Sequence, residues 1–543
     1  MAPAPLPARL LTVSAALLLS GAAAARGSWV ALANPAPVPN AGVALLLPDG
    51  TVIVLGDGAD NDGIGDVWHR LAPDASGSYV NGTWSDIAPM TDTREYFSSQ
   101  VLRDGRVYVA GGEYGTGKTK AEVYDPVADT WTQAADPAST LSDANSELLP
   151  DGRVLQALVA GNLRKTKIWD PVTDTYVAGP QCLGIHNESV WIKLPDDSIL
   201  FVDRNATSSE RWLPSTGTWV ADSTVPVSLY DPWGLETGAA VLLPDGRAFF
   251  IGSPNTTAFY DPSGGAAPGI WKAGPAPPGG RGAPDAPMAM LVDGKVLCVL
   301  SPQPTPANHF PSPSTFFEYD PAINVFKTLP APDGGASIDD PCYTFCFLAL
   351  PDGSVLCGHQ GSSSYHVFVP DGETTLTGRA AVTGIGKLGA SSVMLGGTGF
   401  NGISQGASYG DDWQMSTNYP LVRFTHPSGS PVLYGRTHDW NLTGVATGST
   451  PCHVTLELPA GLSAGTWSLE VVTNGIASAP VPFVVSAAGC PADLNADGAV
   501  NGADLGLLLA NWNGAGVGDL DGSGAVDGGD LGILLAGWGA CPP

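Results

Sequence analysis

Three periodic features of the 543-residue chain predict a mainly β fold: a seven-bladed β-propeller, then a β-sandwich, then a small α-helical calcium-loop module. A tight D-G turn flanked by apolar strands recurs seven times, its aspartates 45 to 59 residues apart. That spacing is the period of propeller blades, each built from hairpins. The pattern stops near residue 376 and gives way to alternating strands without such turns. The last fifty residues hold two acidic loops 26 residues apart, each leading into an apolar helix.

At the start of the chain Arg9 precedes the apolar run LLTVSAALLLS, and small residues Ala22 to Ala25 follow. Residues 1–25 therefore read as a secretory signal peptide, too short in its apolar run to span a bilayer. The expectation is a secreted, extracellular protein with no membrane span. The balance of 24 basic against 52 acidic residues, a formal charge of -28, argues against nucleic acid or an anionic membrane surface as partner. A neutral partner such as a glycan, or a small molecule, is compatible with it. The 69 glycines and 48 prolines fit many short strands joined by tight turns.

Residues 28–375 carry the blades. The turns lie at Asp49, Asp104, Asp151, Asp196, Asp245, Asp293 and Asp352, with stretches such as VALLLPDGTVIVLG forming the buried inner hairpin of each blade. An aromatic beside a D-P pair and a second aromatic some eight residues on, as in EVYDPVADTW, mark an outer hairpin. Its last strand carries Trp84, Trp131, Tyr176, Trp219, Trp271 or Phe326, six aromatics for seven blades. Trp29 is the seventh. The N-terminal segment is thus expected to supply the outermost strand of the last blade, residues 343–370, and so remove the open edge of the ring.

The alternation of an LPDG hairpin with a YDP-x-W hairpin resembles the kelch repeat, although only Gly111-Gly112 keeps that repeat's double glycine. Residues 376–486 contain strands such as PLVRFT, HVTLELP and WSLEVVT, and the opening SVMLGGTGFNG resembles an immunoglobulin-like early-set domain.

Residues 490–541 form the third unit. DLNADGAVNGAD places Asp493, Asn495, Asp497, Asn501 and Asp504 at positions 1, 3, 5, 9 and 12 of a calcium loop, and DLDGSGAVDGGD places Asp519, Asp521, Ser523, Asp527 and Asp530 likewise. A hard cation takes six to eight oxygens, and this spacing delivers them from alternate residues around one point. Two calcium ions are expected. The doubled loop-helix pattern resembles a type I dockerin, which implies a cohesin-like or cell-surface protein as partner. Cys490 and Cys541 bracket the unit, so a bridge between them is expected.

A kelch-type propeller followed by an early-set domain resembles galactose oxidase and glyoxal oxidase, the copper radical oxidases. The resemblance implies a copper ion on the propeller axis, held by two tyrosines, one of them crosslinked to a cysteine, and by two histidines, one of them from the second domain. Tyr96 in REYFSSQVLRDG and Tyr343 in CYTFCFLALPDG match the tyrosines, and His438 in YGRTHDWN is matched to the delivered histidine. Thr344 stands where the resemblance implies the other histidine, and Asn40, Ala41 and Gly42 stand where it implies the cysteine. The expectation is therefore an incomplete set that does not support copper radical chemistry.

Counting eight residues back from each turn aspartate places Tyr96, Asp143, Glu188 and Asp285 around one mouth of the channel, with His186 and Glu236 beside them. Such a mouth could bind a cation or sugar hydroxyls, and a carboxylate pair could act on a glycosidic bond. The leading reading is a carbohydrate-associated protein tethered by its tail and serving polysaccharide breakdown. A diverged copper oxidase of alcohols or aldehydes and a non-catalytic extracellular scaffold are the alternatives.

Overall fold

The computed structural model describes residues 27–58, 63–141, 145–159, 163–186, 189–389, 391–409, 415–486, 490–495, 497–514 and 517–541. The segment read as a signal peptide, Asp143 and Glu188 lie outside the described residues.

Seven sheets of antiparallel strands form the ring. Their innermost strands are Asn40–Leu46, Ser98–Val101, Ser146–Leu148, Trp191–Lys193, Ala240–Leu242, Pro287–Met290 and Phe345–Ala349, all buried. The D-G turns repeat one local device. In all seven blades the turn aspartate accepts the backbone N–H two residues on, at 3.0 to 3.2 Å. Six blades then put glycine in the left-handed region, at φ from 77° to 90°. The fourth has Asp197 there, at φ 61°, which a short polar side chain tolerates.

Ser28–Ala31 pairs antiparallel with His366–Val369, Trp29 opposite Phe368, and so completes the last blade. The aromatics expected in the outermost strands occupy them, and several bind the preceding blade. Trp84 Nε1 donates to Asn34 O at 3.0 Å, Trp131 Nε1 to Ala88 O at 2.9 Å, and Trp271 Nε1 to Ser209 Oγ at 3.1 Å. The ring is therefore held by aromatic packing and by indole hydrogen bonds to backbone carbonyls and a serine hydroxyl of the neighbouring blade.

The second domain differs from two stacked sheets. Its eight strands belong to one hydrogen-bonded sheet, rolled until Ala381–Lys387 comes against Gly465–Thr473, a nearly closed barrel. It packs on the face that carries the D-G turns. Thr437 N donates to Pro48 O at 3.2 Å, Arg103 Nε to Trp440 O at 2.6 Å, and Thr443 Oγ1 to Leu149 O at 3.1 Å.

A segment of this domain also enters the ring. Ala407–Tyr409 pairs antiparallel with the innermost strand of blade 6, and Gly406 bridges antiparallel to Ser416. Gln405 Nε2 donates to Glu147 at 2.9 Å, and Lys193 completes the buried cluster with an ion pair to Glu147 at 3.1 Å. A lone buried charge would be costly, and here both charges are paired and further hydrogen-bonded. Because Tyr409 pairs with Pro287, the segment reaches the opposite mouth of the channel.

The C-terminal unit contains helices Gly502–Ala510 and Gly528–Ala536, closed by the Cys490–Cys541 disulfide with Cα atoms 5.5 Å apart. Among the described residues no helix is long and apolar enough to cross a membrane.

Candidate functional site

The mouth opposite the second domain is built by the loops that lead into the innermost strands. Tyr96 immediately precedes the buried Phe97 and holds φ 46°, a left-handed conformation unusual for an aromatic residue. The local structure imposes it: Arg94 and Glu95 pair with Gly115 and Tyr114, and Glu113 N donates to the carbonyl of Tyr96 at 3.0 Å. Gln360, at the end of the second strand of blade 7, donates from Nε2 to Tyr96 Oη at 3.4 Å. Its backbone is fixed by Thr344 O, at 2.8 Å, and by a bridge to Asn40.

Tyr343 sits in the short turn Cys342–Thr344, its ring edge-on to Phe310 at 5.0 Å. Burial raises its phenol pKa, and the charges of Glu95, Asp285 and Asp340 raise it further. These three carboxyl groups therefore act on Tyr343 through their charge. Asp285, at φ 54°, donates its N–H to Thr237 O at 2.9 Å. Asp340 pairs with His359 Nε2 at 3.2 Å, and the imidazole stacks on Phe345 at 4.4 Å, its pKa lowered by burial. Glu236 is half-buried just before blade 5, where its carbonyl accepts from Ser253 Oγ at 2.8 Å.

Two expected site residues are elsewhere. His186 is fully buried inside blade 4, stacked on Phe201 at 3.6 Å and bound to Glu210 at 2.8 Å. The aromatic packing of the blade holds it there, away from the channel. His438 lies on the barrel strand Val432–His438 and is engaged by Asp439 at 2.8 Å and Glu457 at 3.3 Å. Among the described residues, the strand of the second domain that pairs with a blade is Ala407–Tyr409, and the sequence from 401 to 419 has no histidine. The register of the D-G turns also missed His359 and Gln360. Counting seven and eight residues forward from Asp352, instead of back, finds both.

Copper does not fit this constellation. The hydroxyl of Thr344 is used by Pro341 O at 2.7 Å, and Asn40 offers an amide near Cys346 Sγ, at 3.7 Å, where a crosslinking thiol was implied. Cys342 is buried against Pro284 O at 3.3 Å and Ser301 Oγ at 3.4 Å, its thiol pushed by burial up to about 12 and so protonated. Copper(II) of tetragonal geometry asks for more nitrogen donors than Tyr96 and Tyr343 have beside them.

The tail loops do fit calcium. Residues 490–541 contain seven aspartates and no lysine or arginine. Asp519, Asp521 and Asp530 each bring an oxygen within 4.8 Å of the others. The two loops share their geometry. Asp493 accepts from Asp497 N at 3.1 Å and Gly498 N at 2.9 Å, and Asp519 accepts from Ser523 N at 3.0 Å and Gly524 N at 2.9 Å. Asn501 and Asp527 cap the helices, with Asp504 and Asp530 closing the capping boxes. Asn495 is half-buried and Asp497 and Ser523 are exposed, so each could add an oxygen to its loop.

A family profile for the Kelch motif matches residues 101–138, from the inner hairpin of blade 2 through its last strand. The chain is similar to the F-box/kelch-repeat protein SKIP30 of Arabidopsis thaliana, 37% identical over 111 residues, 19% of this chain and 31% of that protein. It thus spans about a third of that relative's length. Among solved structures it is similar to a fungal alcohol oxidase of the AA5 family in complex with copper, with a TM-score of 0.50 and 14% identity over 84% of this chain and 98% of that one. The likeness is one of fold, and it bears out the galactose oxidase-like propeller.

Proposed function

We propose that the chain is an exported glycan-binding protein: the propeller takes neutral sugars at the Tyr96–Tyr343 mouth, and the calcium-loaded tail docks on a cohesin-like or cell-surface protein, in the service of polysaccharide breakdown. The observation that carries this reading is the composition of the mouth. The amide of Gln360 donates to the phenol of Tyr96 at 3.4 Å, its backbone is held by Thr344 beside the second phenol, Tyr343, and the charges of Glu95, Asp285 and Asp340 act on Tyr343. Carboxylates accept sugar hydroxyls, aromatic rings take the apolar faces of pyranoses, and clustered negative charge turns away anionic ligands. The resemblance of the tail to a dockerin supports the tethering role, and the fit of its aspartates supports calcium.

Calorimetric titration of the full chain with xylotetraose, cellotetraose and mannotetraose tests the reading. Saturable binding to at least one, weakened tenfold or more by Tyr343→Ala, is expected. Heatless titrations with all three, or peroxide release from alcohols after copper loading, would overturn it in favour of a scaffold or an oxidase respectively.

A further inference from the structure

A second hollow opens on the same face of the ring, between blades 3 and 4 and away from the axis. It has a volume of about 330 Å³ and is lined by Arg164, Gly184, Asp203, Asn205, Ser208 and Glu210, among others. All lie on segments of the loop face. Gly184 leads into the innermost strand of blade 4, Asp203 to Ser208 join its second and third strands, Glu210 follows on the third strand, and Arg164 joins the corresponding strands of blade 3.

Both carboxylates are almost wholly buried, Glu210 at 3% and Asp203 at 8% exposure. Glu210 accepts from Leu183 N at 2.8 Å, Gly184 N at 2.6 Å and His186 Nε2 at 2.8 Å. Since His186 Nδ1 accepts from Trp191 Nε1 at 3.0 Å, the imidazole is neutral with its proton on Nε2, and Glu210 remains an anion. Asp203 accepts from Asn205 N at 3.0 Å and Ser208 Oγ at 3.3 Å. Among the described residues three donors therefore reach Glu210 and two reach Asp203, against roughly eight acceptor sites on two carboxylates. A methyl group on Gly184 would lie 3.0 Å from Asp203 Oδ2 and 3.2 Å from Glu210 Oε1, so the two carboxylates converge on one point and only glycine keeps the space between them clear.

We propose that this hollow is a second glycan subsite, taking one neutral sugar unit whose adjacent hydroxyls donate to Asp203 and Glu210. The volume is at the lower end of small-molecule sites, which suits a single ring. Two buried carboxylates exclude an anionic ligand, and a positively charged residue, Arg164, among those lining the hollow disfavours a bare cation. The proposal rests on the glycan-binding reading but concerns a different site, so a long glycan could engage both along one face.

The test titrates the same three tetrasaccharides into four forms of the full chain: unmodified, Tyr343→Ala, and Tyr343→Ala combined with Asp203→Asn or with Gly184→Ala. Binding that survives Tyr343→Ala and weakens tenfold or more with Asp203→Asn, at an unchanged melting temperature, is expected. Gly184→Ala should act alike by filling the space, and Asp203→Asn keeps the test decisive if that variant misfolds. Loss of all binding in Tyr343→Ala alone overturns the second subsite and leaves the mouth standing. Residual binding indifferent to Asp203→Asn also overturns it. Binding unaffected by Tyr343→Ala but abolished by Asp203→Asn supports the subsite and removes the mouth. No binding to the unmodified chain overturns both.

Discussion

The indole N–H of Trp29 donates to the carbonyl of Pro330 at 2.8 Å, binding the first strand of the described chain to the end of blade 6 across 301 positions. Trp131 makes the equivalent bond to Ala88, so the closing blade is stapled to its neighbour as an internal blade is. Trp29 also packs edge-on to Phe316 at 5.4 Å and Phe368 at 5.1 Å. Trp29→Ala removes the staple and leaves a cavity at the seam, where loss of a large aromatic costs about 3 kcal/mol. The melting temperature of the propeller should drop by several degrees and the variant should aggregate on heating. An unchanged melting curve would show that the seam is held elsewhere.

Acid should loosen blade 4 through His186. Burial lowers the pKa of this imidazole below the usual value of 6.5, although the hydrogen bond and charge of Glu210 pull the other way. The folded form thus binds its proton less readily than the unfolded form. Stability from this group is full above about pH 6.5 and is lost as pH falls toward the folded value, at up to ~1.4 kcal/mol per pH unit. His359 and His366 are also lowered by burial and add to the trend. The share belonging to His186 is read from His186→Gln, whose melting temperature should fall less steeply between pH 6.5 and 5. Parallel curves for the two proteins would refute the assignment.

How far the sequence reached depended on whether the determinants were local. The blades were legible because each D-G turn satisfies its own backbone through one aspartate, as Asp104 does for Arg106 N, and this recurs whatever surrounds it. Ring closure was legible because six outer aromatics for seven turns left Trp29 to be placed. The axial strand Ala407–Tyr409 was not, since its partner Pro287–Met290 lies more than 110 residues away and no turn signal marks it. His186 was misplaced for a related reason. A register count gives a position along a strand, whereas the stacking of His186 on Phe201 decides the direction in which the side chain points.

Calcium should order the tail. Asp493, Asp504, Asp519 and Asp530 are all at 3% exposure or less, and no cationic side chain of residues 490–541 offsets them. A unit of about fifty residues has little core to oppose their mutual repulsion. Amide exchange should therefore slow in millimolar calcium relative to chelator at Leu494 and Asn495, which donate to Asp504, and at Leu520 and Asp521, which donate to Asp530. Asp530→Ala should abolish the protection of the second loop. Equal exchange with and without calcium would sink the calcium assignment.

Copper should not convert the propeller into an oxidase, despite a fold shared with a copper alcohol oxidase. Tyr96 is hydrogen-bonded by Gln360 and has Asn40 where a crosslinking cysteine was implied, and the phenol pKa of Tyr343 is raised by burial and by the charges of Glu95, Asp285 and Asp340. A phenol whose pKa is raised gives up its proton to a metal less readily, and His438 is committed to Asp439 and Glu457 on the barrel. Adventitious uptake of copper(II) is compatible with this conclusion, because it stands at the top of the affinity order for oxygen and nitrogen donors. Copper-loaded protein should therefore release no peroxide from galactose, glyoxal or primary alcohols, and mass spectrometry should find no peptide joining Tyr96 to a cysteine with loss of two hydrogens. His438→Ala should leave any copper uptake unchanged. Peroxide release that Tyr96→Phe abolishes would reverse this conclusion and make the mouth a redox centre.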